Sequence, residues 1–365
     1  MNLRELKIEI TNQCLLNCAH CSTGATSGLN SFLPRSAIEN LIDQACNLGC
    51  HEIFFSGGEP LLHPDIDFFI EILTSKGIQN KLYTTGIIKL APPAPISLEK
   101  LKVLKTHGLS QLAFSLYSAR LDVHDSVTRV PDSFSATVTA IRNAIKLGIV
   151  TEIHFVAMKK LIEELPPLTR FVDKLGVRKI SILRFVPHGR GKESAPELTP
   201  TTSDFKKLRK FIIALRQEKP NITFRLGSPF NFLLLGSPTP CTTGLDRMII
   251  DADGFAYPCD ALKQVKLANQ HNNVLRDPIL RVFEKAPLFQ MVRHVTIPES
   301  CIPCPKVKEC FGGCLAQRLL AVGVPSMQAD PGCLRQKSSK PSSHVIDNLV
   351  SADNLPQLDE AQWIS

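Results

Sequence analysis

The sequence predicts an α/β fold: a partial (β/α)6 barrel of the triosephosphate-isomerase type, followed by a smaller cysteine-rich domain. Three observations carry that prediction. Short β runs alternate with amphipathic helices over the first 190 or so residues, and strand–helix repeats build parallel sheets with right-handed crossovers. The chain has 12 cysteines, five before residue 51 and seven between Cys241 and Cys333, so the second half changes character abruptly. With 365 residues, 44% of them hydrophobic, there is material for two domains of about 150 residues each.

Six strands are expected, at Leu6–Ile10, Glu52–Ser56, Lys81–Thr84, Gln111–Leu116, Thr151–Ala157 and Lys179–Phe185. Pro34 marks a helix start, with Ile38, Leu41, Ile42 and Ala45 on one face and Gly49 as the stop. Val138, Ile141 and Ile145 form a second stripe that ends at Gly148. The chain then divides as 1–195 for the barrel, 196–240 for a bridge, 241–335 for the cysteine-rich domain and 336–365 for a polar tail that holds the single Trp363. The bridge contains a helix with Phe205, Leu208, Ile212 and Leu215 inward and Lys206, Lys207, Arg209 and Lys210 outward. Asp251-Ala252-Asp253-Gly254, between Met248–Ile250 and Phe255–Tyr257, reads as a hairpin. No internal repeat is present.

Composition excludes several classes. Apolar content is normal and no low-complexity tract appears, against disordered, collagen-like and coiled-coil chains. No apolar run approaches the roughly 18 residues of a membrane helix. The start, Met1 to Lys7, lacks the apolar core of a secretory signal, so a cytoplasmic location is expected. There thiols stay reduced, and clustered cysteines read as metal ligands rather than disulfides. The net charge of +8 permits acidic partners without requiring any.

Cys14, Cys18 and Cys21 have the spacing CxxxCxxC on the loop after the first strand. Three thiolates on one loop can hold three corners of a four-iron cluster and leave one iron open for a ligand; a zinc knuckle with a distant fourth ligand is the plainer alternative. Gly57, Gly58 and Glu59 follow the second strand, where glycine lets backbone turn sharply and approach a ligand. In a β/α barrel both loops fall at the C-terminal ends of the strands, where the chemistry sits. With these motifs, residues 6 to about 190 resemble the radical S-adenosylmethionine (radical SAM) enzymes. The resemblance implies that the three cysteines bind a [4Fe–4S] cluster whose open iron chelates SAM. It further implies that the Gly57-Gly58-Glu59 motif contacts the methionine amino group, and that His20 lies against the cofactor. Ser115 and Arg129 correspond to ribose and carboxylate contacts, with Arg129 one residue later than the family pattern. Leu183 corresponds to the adenine pocket.

The second set is Cys241, then Gly254 and Cys259, then Cys301-x2-Cys304-x5-Cys310-x3-Cys314 and Cys333. Two structural zinc sites are possible from CxxC pairs, but seven ligands do not close two four-ligand sites. The spacing matches the seven-cysteine SPASM extension found on radical SAM enzymes that make subtilosin, pyrroloquinoline quinone, anaerobic sulfatase and mycofactocin. That match implies two auxiliary [4Fe–4S] clusters. The nearer takes Cys241, Cys259 and Cys314, and either Asp246 or another oxygen ligand completes it or the site is open; the farther takes Cys301, Cys304, Cys310 and Cys333. It also implies a catalytic base at Asp260, although an acid there can equally cap a turn. Three such sites lower the apparent charge to roughly +4. Cys46 and Cys50 belong to neither set and are expected to pack in the core.

The resemblance implies an enzyme that cleaves SAM reductively to a 5′-deoxyadenosyl radical and takes a hydrogen atom from a ribosomally made precursor peptide. Cross-linking, backbone excision or oxidation would follow. Two other substrates are open, a protein Ser or Cys as in sulfatase maturation and a small molecule such as a tetrapyrrole; a zinc-stapled binding module is the remaining alternative. Strand one begins within ten residues of the start, so a separate leader-peptide-binding protein is expected, together with a low-potential electron donor of the flavodoxin or ferredoxin type. No membrane partner is expected. Nor is nucleic acid, because one Trp and three Tyr do not make a stacking set.

Overall fold

The computed structural model describes residues 2–236, 240–265, 271–322 and 328–335. The predicted tail, 336–365, lies outside the described residues. Among the described residues no helix is long and apolar enough to cross a membrane.

The first half alternates strands and helices in the order β1 (Glu5–Thr11), α1 (Arg35–Asn47), β2 (Glu52–Gly57), α2 (Ile66–Ser75), β3 (Gln79–Thr84), a small hairpin β4 (Ile87–Lys89) and β5 (Ala94–Pro95), α3 (Leu98–Thr106) and β6 (Gln111–Ser115). It continues through α4 (Leu121–Thr128), α5 (Ser133–Lys146), β7 (Val150–Ala157), α6 (Leu165–Leu175), β8 (Lys179–Arg184), the short turns α7 (Arg190–Glu193) and α8 (Ala195–Leu198), α9 (Thr202–Glu218) and β9 (Thr223–Arg225). After these come β10 (Arg247–Ile250), β11 (Ala256–Tyr257), α10 (Ile279–Lys285), α11 (Pro287–His294), α12 (Val307–Cys310) and α13 (Leu315–Val322).

All six predicted strands are present and pair in parallel, and two further parallel strands flank them. The sheet order is β11-β10-β1-β2-β3-β6-β7-β8-β9. β9, in the segment read as a bridge, pairs in parallel with β8. β10, the first arm of the predicted hairpin, pairs in parallel with β1 and antiparallel with β11. The cysteine-rich half is thereby stitched to the first strand of the barrel by backbone hydrogen bonds.

Strand alternation sorts the side chains into two layers. On β1, Leu6, Ile8 and Ile10 are fully buried in the main core, which also holds Ile38, Leu41, Ile42 and Ala45 of α1. The alternate set, Glu5, Lys7 and Glu9, lines the barrel lumen, as do Tyr83 of β3, His154 of β7 and Lys179 of β8. Barrels of this kind are usually filled by branched apolar layers. This one keeps a polar interior, and a chamber of about 1040 Å³ runs through it.

α9 buries Phe205, Leu208, Ile212 and Leu215 as its periodicity predicts, and a capping box between Thr201 and Asp204 starts it. Of its cations, Arg209 departs from the outward reading: it is half-buried and its Nε donates to the Leu233 carbonyl at 2.8 Å.

Candidate functional site

The loop that leaves β1 carries Cys14, Cys18 and Cys21, and all three line the chamber. Cys14 and Cys18 are buried. Burial pushes the Cys14 thiol up to about 12, the nearby Glu59 adding to it, and raises Cys18 as well, with Cys14 and Cys21 contributing. Such thiols stay protonated unless a metal centre takes up their charge. Arg190, at the start of α7, pins the loop from behind. Its Nε donates to the Cys18 carbonyl at 3.1 Å, Nη1 to Gly24 at 3.0 Å and Nη2 to Ala25 at 2.8 Å. The glycines flanking it let it come close: a Cβ on Gly189 would stand 2.6 Å from the Cys21 carbonyl oxygen, and one on Gly191 3.1 Å from that of His20. Sequence reasoning passed over Arg190, although Gly189-Arg190-Gly191 just beyond a strand end was a readable signal.

His20 lines the chamber, and its Nδ1 is buried with no hydrogen-bond partner among the described residues. Its ring meets Tyr117 edge-on with centroids 4.8 Å apart, and Tyr117 stacks on His124 at 5.4 Å. Burial, with Arg190 and His124 nearby, pulls His20 down to about 4, so the ring is neutral.

Gly57 and Gly58 are required by the chain itself. Gly58 N–H donates to the Thr11 carbonyl and Glu59 N–H to the Gln13 carbonyl, both at 2.7 Å. A Cβ on Gly57 would overlap the Thr11 carbonyl oxygen and one on Gly58 that of Gln13, and Gly57 also has φ +122°. The close backbone approach seen here is therefore to the segment that leads into Cys14. Both glycines line the chamber. Glu59 is fully buried. Its carboxylate accepts from Thr84 Oγ1 at 2.6 Å, from Thr85 N–H at 2.7 Å and Oγ1 at 2.6 Å, and from Leu61 N–H at 3.2 Å. It braces the ends of β2 and β3, and it is not among the lining residues of the chamber.

Ser115, at the end of β6, and Leu183, on β8, line the chamber, and Ser115 is hydrogen-bonded to the Tyr117 side chain. Arg129 is placed elsewhere. It caps α4 in the left-handed region at φ 58° and is exposed, and it is absent from the chamber lining.

The seven C-terminal cysteines fall into two groups. Cys241, Cys259 and Cys314 line the same chamber as the first loop. Cys259 is raised by burial and then by Cys314, Asp260 and Cys241, which places the three thiols within each other's field. Cys301, Cys304, Cys310 and Cys333 surround a separate small cavity of about 30 Å³, with Phe232, Gly312 and Asp330. Among the described residues no group of three or more His, Cys, Asp or Glu side chains is gathered as around a single metal ion. Asp246 also lines the chamber, with Oδ1 3.5 Å from Arg247 Nε and without a hydrogen-bond partner among the described residues. Cys50 is buried and its thiol donates to backbone carbonyls, while Cys46 is half-buried against the core.

Asp260 lines the chamber beside Cys259, between two lysines: Lys7 Nζ is 2.6 Å from Oδ1 and Lys263 Nζ 3.4 Å. Lys263 also pairs with the buried Glu9. Although burial opposes ionisation, the two ammonium groups outweigh it and hold the Asp260 carboxyl well below the usual range. Two acids and two lysines thus form one neutral network between β1 and the turn after Cys259.

The donor set fits a [4Fe–4S] centre with an open position: two buried thiols and a half-buried third on one braced loop, a histidine nitrogen unpartnered among the described residues, and a chamber of the size that takes a small molecule.

Comparison with known proteins agrees with this geometry. Residues 8–172 match the radical SAM superfamily. The chain carries a radical SAM domain, and the protein is a radical SAM enzyme. Among its curated relatives are the AdoMet-dependent heme synthase of Methanosarcina barkeri, 24% identical over 91% of this chain and 96% of the relative, and the PqqA peptide cyclase of Gluconobacter oxydans, 24% identical over 96% and 95%. The mycofactocin maturase MftC of Mycobacterium ulcerans is 27% identical over 90% and 86%. In fold the chain is similar to Streptococcus suis SuiB bound to S-adenosylmethionine, with TM-score 0.73 and 19% identity over 91% of this chain and 77% of that one. It is also similar to anSMEcpe with bound AdoMet, with TM-score 0.70 and 18% identity over 91% and 90%.

Proposed function

We propose that this protein uses SAM radical chemistry to modify a ribosomally made precursor peptide, giving a cross-link, an excision or an oxidation. The supporting observation is that one chamber is lined both by Cys14, Cys18 and Cys21 and by Cys241, Cys259, Cys314 and Asp260. Relatives that act on peptides, PqqA peptide cyclase and mycofactocin maturase, align over nine-tenths or more of the chain.

Cys14, Cys18 and Cys21 would hold a SAM-binding [4Fe–4S] cluster, and SAM bound there supplies, on reductive cleavage, a carbon radical able to take hydrogen from an unactivated position. Gly57, Gly58, His20, Ser115 and Leu183 would frame the cofactor. The barrel wall keeps water away and holds the substrate carbon in place, a proximity task. Cys241, Cys259 and Cys314 would hold a nearer auxiliary cluster, with Asp246 as candidate fourth ligand, and Cys301, Cys304, Cys310 and Cys333 a farther one. Asp260 is our candidate for the base that takes the substrate proton, with Lys7 and Lys263 keeping it ionised. We further assign the protein to the cytoplasm, served by a low-potential flavodoxin- or ferredoxin-type donor and a separate leader-binding protein. Tight capture of a precursor by this chain alone would argue against that separate protein.

A second reading, a carboxylate-bearing small molecule such as a tetrapyrrole, draws on the heme synthase relative and on the lumen. Arg4, Arg216 and Arg225 line the chamber and have no carboxylate partner among the described residues.

Iron and sulfide per chain after anaerobic reconstitution test the cofactor assignment. About twelve irons are expected for three four-iron sites; about four would leave only the SAM cluster, and zinc without iron would overturn the reading. Mass spectrometry of a co-expressed neighbouring precursor then decides between peptide and small-molecule substrates, a peptide of unchanged mass counting against the first.

A further inference from the structure

Arg318 sits on α13 one helical turn after Cys314, and its backbone N–H donates to the Cys314 carbonyl at 3.1 Å. Positions four apart share a helix face. The residue is only 3% exposed. Its guanidinium reaches the Thr296 carbonyl through Nη1 and Nη2 only at 3.5 Å each, and Nε has no partner among the described residues. A Cβ on Gly312, between Cys310 and Cys314, would stand 3.1 Å from Nη1, so the group lies against the loop that carries ligands of both C-terminal thiol groups.

A guanidinium cannot shed its proton, and a buried charge without a counter-ion costs several kcal/mol. The nearby carboxylate, Asp330, is already engaged by Arg184, by Cys314 N–H and by Gly332 N–H. Asp330 also acts on the Arg318 charge but is shared with those partners, and the other groups that act on it are thiols. Cys301 of the outer group and Cys314 and Cys241 of the inner group all act on its charge. Neutral thiols cannot compensate it; anionic thiolate clusters can.

We propose that Arg318 is the shared counter-charge of the two auxiliary cluster sites, stabilising the more negative, reduced state of each. This rests on the auxiliary-cluster reading above. A fixed cation next to a centre that gains an electron raises its reduction potential, and a cation between two centres raises both.

The test is a potentiometric titration of the reconstituted full chain, followed by electron paramagnetic resonance, for wild type, Arg318→Met and Arg318→Lys. In Arg318→Met both auxiliary midpoints should fall, with the reduced-to-oxidised ratio at fixed potential dropping about tenfold, equivalent to 59 mV for one electron. The SAM-cluster midpoint should stay in place, and Arg318→Lys, which keeps the charge, should restore most of the shift. Unchanged auxiliary midpoints at full iron content, or movement of only one, would overturn the proposal. A wild type that holds only about four irons would overturn the auxiliary-cluster reading and the proposal with it. If Arg318→Met does not load, Arg318→Gln, which keeps N–H donors without charge, carries the same expectation.

Discussion

Arg184 and Asp330, 146 residues apart, form a two-pronged buried ion pair, with Nη1 to Oδ2 at 2.6 Å and Nη2 to Oδ1 at 2.7 Å. The arginine comes from the end of β8. The aspartate lies between Cys314 and Cys333, where it also accepts from Cys314 N–H and Gly332 N–H. The pair ties the mouth of the barrel to the loops that carry the C-terminal thiols.

Breaking it should therefore damage one half of the protein selectively. Removing one member of a buried pair leaves an uncompensated charge, worth about 3–5 kcal/mol. Asp330→Asn should lower stability by that order in chemical denaturation and should deplete iron from the C-terminal sites. Stability and iron equal to wild type would show the pair to be dispensable.

Gly58→Ala tests the brace behind the first cysteine loop. The added methyl group collides with backbone at Gln13, which has no flexible end to swing away. The loop carrying Cys14 must shift, so iron should fall from about twelve to about eight per chain while the C-terminal sites stay loaded. Retention of all iron would place the tolerance of that loop higher than its packing implies.

Arg190→Met removes three hydrogen bonds to the same loop from the opposite side. Charged hydrogen bonds contribute about 1.5–3 kcal/mol each at most, and they add to the backbone bonds that tie Asn17 to Thr128 and Ala19 to Val127. The first cluster should become the most readily lost to a chelator, measured as the rate of iron release; a rate equal to wild type would make Arg190 incidental.

Acid stability should depend on His124. Burial, against the opposing charge of Asp125, holds it down to about 4, whereas the unfolded chain has an ordinary imidazole near 6.5. Below 6.5 the unfolded state takes a proton that the folded state refuses, so the stability present above that pH is lost as pH falls toward 4. The loss is of the order of 3 kcal/mol. Urea midpoints for wild type and His124→Gln should diverge less at pH 4.5 than at pH 7, because the variant lacks this slope. Parallel pH profiles would mean that the ring is solvated.

Asp260→Asn keeps the shape of the charge network but removes the base. Product formation should fall by about 10²–10⁴-fold, the usual contribution of general base catalysis, while cleavage of SAM continues. Equal loss of both activities would assign Asp260 to architecture.

Much of this was legible in the sequence. Helical periodicity placed Ile38, Leu41, Ile42 and Ala45 on the buried face of α1, because a 3.6-residue repeat repeats its signal over several turns. The cysteine loops were legible because ligand spacing is a local property of the chain. β9 and the β10 partnership with β1 were not: segments of three and four residues carry no periodicity, and their place in the sheet is decided by what lies beside them. Arg129 shows the same limit in reverse. Its local context suggests a cofactor contact, yet it is exposed at the left-handed cap of α4 and is not among the residues that line the chamber.

The sequence by itself determined the β/α order, the three cysteine groups and the glycine turn that lets the first loop sit against β2, since each is encoded within a few residues. Only the tertiary structure decided which charges meet. Glu9 with Lys263, Arg190 with the carbonyls of Cys18, Gly24 and Ala25, and Arg184 with Asp330 join residues far apart in the chain. Their strength comes from shared burial, and burial exists only once the barrel and the cysteine-rich half have closed on each other.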